Sequence, residues 1–252
     1  FRLALQAALS GGGGGETGAA RPGDGWRLGP FRGRLSALIE KEGKYLLRHP
    51  LVRVSALIVP ALGGLVAWKV APRIPEEAGE VVRALPLIAF GLYTHMAMQV
   101  FWLNAFGWDR GGARGLFLAP LDLSEVLLAK NLAVHAVSTV VFAVTAALML
   151  AVGGWVPAWA VAAAAALHLG MAPACYALGN LVSVLNPRAA PFTVQRNAGF
   201  SWLSGLAGMG IVSGASGLFA LPVLLALRLE SPWLLPAAWV LLGAAGDRKS
   251  VV

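Results

Sequence analysis

Three groups of residues in this chain have types and spacing that could do chemistry. The first is a loop, Asn104-Ala105-Phe106-Gly107-Trp108-Asp109-Arg110-Gly111-Gly112-Ala113-Arg114-Gly115. Asp109, Arg110 and Arg114 bring charge to it, and an apolar stretch from Leu116 and Phe117 to Pro120 follows. Paired charges beside an exposed apolar stretch, with a capped helix leaving the loop, can dock on a partner and pass force into that helix. A plain interhelical loop is the competing reading. The second group is polar side chains inside apolar runs: His95, Gln99, Asn104, His135, His168 and Asn180. Such groups face the interior of a helix bundle. They either line a substrate path or bond helix to helix, at ~0.6–2 kcal/mol per bond. His95 stands with Met96 and Met98, but no second ligand cluster accompanies them, so no metal is assigned. The third is Ser216 in Gly214-Ala215-Ser216-Gly217. A serine nucleophile needs a base within reach, and no histidine follows Ser216. Nucleotide chemistry has no footing: no G-x-x-x-x-G-K-[ST] occurs, and neither Gly11–Gly15 nor Lys249-Ser250 completes one. The single cysteine, Cys175, lies in an apolar run and reads as a small packing residue.

The elements that position these groups follow from composition. The chain has 252 residues, of which 58% are hydrophobic and 13% charged. Soluble domains average about 45–50% apolar and about 25% charged. A disordered chain is excluded, and the mean hydropathy of +0.70 argues against a soluble globule. No Asp, Glu, Lys or Arg occurs in the 25 residues from Ala84 to Trp108, the 57 from Asn131 to Pro187, or the 31 from Asn197 to Leu227. A bilayer core of about 30 Å takes about 20 apolar residues as a helix, and lipid offers bare backbone no other partner. The pattern predicts six membrane-spanning helices: Leu51 to Val70, Ala84 to Phe106, Leu123 to Val152, Pro157 to Leu185, Gly199 to Leu227, and one starting near Trp233. Pro60 and Gly63-Gly64 allow a kink in the first. Gly153-Gly154-Trp155-Val156-Pro157 is the turn that splits the longest charge-free run. Asp122 is the expected N-cap of the third span, with Glu125 three residues on. That span exceeds the bilayer core, so its first turns, through Lys130, should project from it. Before the first span, Leu35 to His49 reads as an amphipathic interfacial helix. Leu35, Leu38, Ile39, Leu46 and Leu47 form one face; Ser36, Glu40, Lys41, Lys44 and Arg48 form the other. The fold class is therefore all-α: a polytopic membrane protein with about six transmembrane helices and an N-terminal amphipathic helix.

The net charge is +8. Nucleic acid is not the expected partner, because the basic excess flanks the spans. Arg21, Arg27, Arg32, Arg34, Lys41, Lys44, Arg48, Arg110, Arg114, Lys130, Arg188 and Arg196 fall on one side; Arg73, Arg83 and Arg228 fall on the other. This bias places the N-terminal segment and the two longer loops in the cytoplasm. Labelling from outside should therefore reach Glu76 and miss Asp109. Residues 1–30, with Gly11–Gly15, have the composition of a flexible linker or a fragment edge. Residues 31–246 form the transmembrane domain. Residues 247–252, Asp247-Arg248-Lys249-Ser250-Val251-Val252, match the translation of a common sequencing adapter and are set aside as a non-native tail.

Three segments, in order, carry a resemblance. The loop has the pattern N-x-F-G-x-D-R-x-G-x-R followed by Pro120 and then Leu127-Leu128-Ala129-Lys130-Asn131-Leu132-Ala133. Glu40-Lys41-Glu42-Gly43-Lys44-Tyr45-Leu46-Leu47-Arg48-His49-Pro50 precedes it, and Gly179-Asn180-Leu181-Val182-Ser183-Val184 with Asn186-Pro187-Arg188 follows. Together they resemble the membrane subunits of type 2 ABC transporters, the exporter permeases, over Ser36 to Pro236. Gly43 stands where that family often carries a bulkier residue. The resemblance implies a six-span permease domain that works as a pair, either with a second half or as a homodimer, in the cytoplasmic membrane. It implies a cytoplasmic ABC ATPase subunit as partner, which binds ATP and magnesium; this chain carries no cofactor and is not itself an enzyme. The coupling contact would be Asp109, Arg110, Arg114, Leu116, Phe117 and Pro120, flanked on the entry helix by Glu40, Lys41, Glu42 and Arg48. Two other classes compete. Gly214-Ala215-Ser216-Gly217 is similar to the G-x-S-G of rhomboid-type intramembrane proteases, though the spacing of its glycines also suits close helix packing. A membrane anchor with no transport role is the third.

Overall fold

The structure is a computed structural model that describes residues 33–109, 118, 122–154, 156–185, 206, 210, 214, 222, 225, 228–229, 231–238 and 240. Among the described residues the regular elements are all helices: α1 (Gly33–Arg48), α2 (Pro50–Lys69), α3 (Gly79–Ala97), α4 (Gln99–Trp102), α5 (Leu123–Gly153) and α6 (Ala158–Leu185). Three stretches are long and apolar enough to cross a membrane: Pro50–Arg73, Leu123–Gly153 and Ala158–Leu185. They coincide with the first, third and fourth expected spans. The sixth span is described at its start, where residues 234–238 are helical just after Trp233; the fifth span lies largely, and the Gly-rich segment 1–30 and the tail 247–252 wholly, outside the described residues.

The expected second span is helical but broken. α3 carries Glu80, Arg83 and His95, and its ladder ends at Met98, where φ is −98° and ψ is 2°. Thr94 Oγ1 donates back to the Phe90 carbonyl at 2.8 Å, the local bond that bends helices. α4 then starts a new turn, its Phe101 N–H bonding to the Met98 carbonyl at 3.0 Å.

α3 and α4 run parallel to α6 in constant register. Gly91 meets His168, Trp102 meets Gly179, and the Phe106 N–H donates to Ser183 Oγ. Glycine makes this approach possible. A Cβ at Gly91 would lie 2.8 Å from the Ala164 carbonyl oxygen, and one at Gly179 would lie 2.6 Å from that of Trp102. α2 packs on α5 in the same way: a Cβ at Gly63 would lie 2.5 Å from Thr145 Cγ2. In lipid, helices associate through such close packing because the tails are as apolar as the side chains. Gly63 and Gly64 thus serve close contact, and α2 is helical throughout Pro50–Lys69. Its outer face leaves Val54, Leu57, Ile58, Leu65 and Trp68 exposed.

α1 packs against α5. Its buried positions are Ile39, Glu42, Gly43 and Leu46, one stripe at helical spacing. That stripe shares Ile39 and Leu46 with the expected apolar face; Leu35 and Leu38 are half-buried, Leu47 is exposed, and Gly43 and a carboxylate, Glu42, take the central positions. Pro50 separates α1 from α2, as expected, and occupies the first turn of α2 where its missing N–H costs nothing.

α5 begins one residue after Asp122, which caps it by accepting from the Ser124 N–H at 2.9 Å. That bond holds the Asp122 carboxyl below the usual carboxylate range. The cap is therefore intact above the ordinary carboxylate pKa and is lost as pH falls through the lowered one. Asp122→Ala is expected to free the Ser124 amide. Hydrogen exchange at Ser124 should speed up while the middle of α5 stays protected; unchanged exchange would mean the cap is not formed. α5 ends at Gly153, and Gly154, at φ 81°, reverses the chain in a conformation that glycine tolerates.

Candidate functional site

Where α1, the loop after α4 and the first turns of α5 meet, four charges are packed together. α1 contributes Lys41 and Glu42, the short 3-10 turn Gly107–Asp109 contributes Asp109, and α5 contributes Lys130. Lys130 Nζ lies 2.6 Å from Asp109 Oδ2 and 3.1 Å from Glu42 Oε2. Lys41 Nζ completes the square at 2.9 Å from Glu42 Oε1 and 3.3 Å from Asp109 Oδ1. The side chains of Lys130, Glu42 and Asp109 are only 5%, 9% and 10% exposed, whereas that of Lys41 is 50% exposed. Two cations face two carboxylates, so the cluster is neutral. Burial opposes the charge on Lys41, but Glu42 and Asp109 outweigh it and raise the Lys41 pKa above that of an ordinary lysine. On the outer face of α1, Lys44 pairs with Glu40 one turn away, as expected from their order.

Rings lie beside the charges. His49 caps α2 by accepting the Leu51 N–H on Nδ1 at 3.2 Å. Its imidazole meets Trp108 edge-on at 4.7 Å and Phe101 at 5.2 Å between centroids. Burial holds the His49 pKa below the usual histidine value. Tyr45 Oη donates to the Trp108 carbonyl at 3.3 Å, and Trp108 Nε1 donates to the Val100 carbonyl at 3.1 Å. A cavity of about 20 Å³ lies between Tyr45, Phe101, Trp108, Glu42 and Lys130. The loop backbone is thus clamped to α1 by rings as well as by ions.

The expected coupling residues are divided by this arrangement. Glu42 and Asp109 are turned inward and bonded within the chain; Lys41 and Arg48 are exposed; Glu40 is half-buried. Arg110, Arg114, Leu116, Phe117 and Pro120 lie outside the described residues, as does Ser216. Lys130, Tyr45, His49 and Trp108 belong to the site without having been singled out. The side chain of Lys130, on the first turns of α5, is buried against α1. Its position on one face with Val126, Ala133 and Val134, at i−4, i+3 and i+4, was the available signal.

Of the polar residues in the apolar runs, the three histidines form a second cluster. His95 on α3, His135 on α5 and His168 on α6 come together. His95 stacks on His168 at 4.5 Å, His168 lies 5.7 Å from His135, and Phe142 covers the other contact at 4.8 Å. His95 Nε2 donates to the His168 carbonyl at 2.7 Å. His168 Nδ1 donates to the Gly91 carbonyl at 3.3 Å, which leaves Nε2 to accept from Thr139 Oγ1 at 3.2 Å. Tyr176 Oη lies 3.5 Å from His135 Nδ1. These bonds tie α3, α5 and α6 to one another. His95 Nδ1, Gln99 Oε1 and Asn180 Oδ1 are buried acceptors with no hydrogen-bond partner among the described residues. Asn104 is half-buried at the end of this row. Among the described residues no three His, Cys, Asp or Glu side chains are placed to hold a metal ion.

Fold and site together define a helical membrane protein with a buried ion cluster at one end of its bundle and a histidine stack within it. No family model, curated protein or solved structure matches the chain.

Proposed function

We propose that this chain is the membrane subunit of a type 2 ABC exporter, driven by a separate cytoplasmic ATPase. The observation that carries the reading is the Lys41–Glu42–Asp109–Lys130 cluster. It joins the three segments that the sequence resemblance marks as the entry helix, the coupling loop and the span that leaves it. A push on the loop or on α1 is delivered through a neutral, buried brace to the base of α5. α5 in turn packs on α2 and, through the histidines, on α3 and α6. Transport follows from two arrangements of the bundle whose balance is set by nucleotide on the partner.

In this reading the bundle has six spans and works with a second half or a second copy. It sits in the cytoplasmic membrane with its N-terminal segment inside, and the ATPase holds ATP and magnesium. Arg110, Arg114, Leu116, Phe117 and Pro120 form the outer contact, with the exposed Lys41 and Arg48 beside them. Asp109 and Glu42 hold that contact in place from behind. Polar groups facing the bundle interior, among them Gln99, Asn104 and Asn180, lie on the substrate path.

Two measurements test this. Arg110→Ala combined with Arg114→Ala should abolish capture of the ATPase subunit without lowering the melting temperature of the permease; retained capture and coupled transport overturn the contact. For orientation, a thiol reagent applied from outside should label Glu77→Cys and leave Arg48→Cys unlabelled. The opposite pattern inverts the topology and removes the ATPase from this end of the molecule.

A further inference from the structure

The opposite end of the bundle holds a cavity of about 160 Å³. Its walls are Pro72 after α2, Glu80, Arg83 and Ala84 on α3, and Gly153 and Pro157 at the turn from α5 to α6. Three membrane-crossing stretches terminate here: Pro50–Arg73 and Leu123–Gly153 end at it, and Ala158–Leu185 starts beside it. In a bilayer the cavity therefore lies at the level of the headgroups. An engineered cavity of about 150 Å³ is large enough for a benzene-sized guest.

The charges in this cavity are unusually placed. Glu80 and Arg83 are one helical turn apart, at i and i+3, the spacing at which such residues ordinarily pair. They form no ion pair with each other, and neither forms one elsewhere among the described residues. Glu80 is instead held by Trp159, whose buried indole Nε1 donates to Glu80 Oε2 at 3.3 Å. One carboxylate oxygen is thus committed to the indole, leaving Oε1 to accept. Among the described residues no acceptor engages the five N–H donors of Arg83, whose geometry suits phosphate oxygens. The remaining walls are apolar: Ala84, Pro72, Pro157, and Gly153, whose Cα side presses on Ala67 so closely that a Cβ there would lie 3.2 Å from Ala67 Cβ. Backbone fixes those walls, while the two charged side chains line the mouth.

We propose that this cavity binds a zwitterion carrying a phosphate and a primary ammonium, the phosphoethanolamine headgroup of a membrane lipid. The phosphate pairs with Arg83 and the ammonium with Glu80. An anionic headgroup that lacks the amine leaves Glu80 facing negative charge, so the site selects against it. The exposed apolar face of α2, with Leu65 and Trp68 in its last turns, is where acyl chains would run from the headgroup. The proposal requires only that these helices cross a membrane and is independent of the transport reading.

The test is lipid retention by the full chain in detergent, followed by native mass spectrometry after mixing with phosphatidylethanolamine and phosphatidylglycerol. Phosphatidylethanolamine should be retained in preference. Arg83→Gln and Glu80→Gln should each weaken it about tenfold, the loss of one charge-assisted hydrogen bond. Both side chains are exposed and the amide in Glu80→Gln still accepts from Trp159, so the melting temperature should stay at the wild-type value. Free O-phosphoethanolamine in solution distinguishes the source. Weak binding of it assigns the site to lipid, and binding as tight as that of the lipid assigns it to a soluble zwitterion of the same chemistry. Equal retention of both lipids, or variants that retain phosphatidylethanolamine like the wild type, overturns the proposal.

Discussion

Lys130→Met is expected to destabilise the folded chain by about 3–5 kcal/mol, the cost of removing one partner from a buried ionic cluster. The ammonium of Lys130 is shared by Asp109 at 2.6 Å and Glu42 at 3.1 Å. Without it, two carboxylates remain in a site where each is at most a tenth exposed, with only the half-exposed Lys41 to balance them. Methionine fills much the same volume, so the loss is electrostatic rather than a cavity. In a chain of this size the change corresponds to a drop of roughly 10 °C in melting temperature. The second half of a double-mutant cycle separates this from simple damage. Asp109→Asn in the Lys130→Met background removes one charge of each sign and leaves Lys41 with Glu42 as a complete pair, so most of the loss should return. If both single variants melt like the wild type, or if their effects merely add, the four side chains do not act as one unit. The transport reading adds a functional expectation. The double variant should fold and still capture the ATPase, yet transport less per ATP hydrolysed, because the ion pair that ties the loop to α5 is then gone and the rings clamp the loop only to α1.

How much of this was legible in the residues differs from element to element. The third and fourth spans were marked by the charge-free run from Asn131 to Pro187, and the first by the apolar stretch after Pro50 between Arg53 and Lys69. The limits of α5 came within a residue, because Asp122 is a capping residue and Gly153-Gly154 a stop. Those signals are local, which is why they can be read without a structure. The break at Met98 was not legible, since no proline or glycine stands there; it arises where Thr94 bonds back to Phe90 and Gln99 restarts the helix. The ion cluster was half legible. Glu42, Lys41 and Asp109 were singled out for their charge, but as a surface for a partner. Their union with Lys130 depends on contacts between residues far apart in the chain, which spacing does not encode. The histidines show the same limit. Their presence in apolar runs pointed to the bundle interior, but only the helix register shows that His168 spends both ring nitrogens on Gly91 and Thr139. That register also turns Gly91 and Gly179 into points of close helix contact.

Gly179→Ala is the sharpest probe of that register. Its Cβ would lie 2.5 Å from Trp102 Cε3 and 2.6 Å from the Trp102 carbonyl oxygen. Trp102 is fully buried and its Nε1 is bonded to the His95 carbonyl at 3.3 Å, so neither ring nor backbone can yield cheaply. α3 and α4 must then move away from α6, which strains the His95–His168 bond about two turns back along α3. Overpacking of this kind costs about 1–3 kcal/mol, and Gly179→Leu should cost more. Gly64→Ala is the matched control. A Cβ there meets only the end of the Leu148 side chain, at 2.9 Å from Cδ2, and leucine can change rotamer. It should lose less than half as much stability as Gly179→Ala. Trimming the ring with Trp102→Leu should rescue Gly179→Ala only in part, because the carbonyl of residue 102 remains in the way. A Gly179→Ala protein that melts like the wild type would mean that α4 and α6 do not approach at this position. The constant pairing of Gly91 with His168, Trp102 with Gly179 and Phe106 with Ser183 would fall with it.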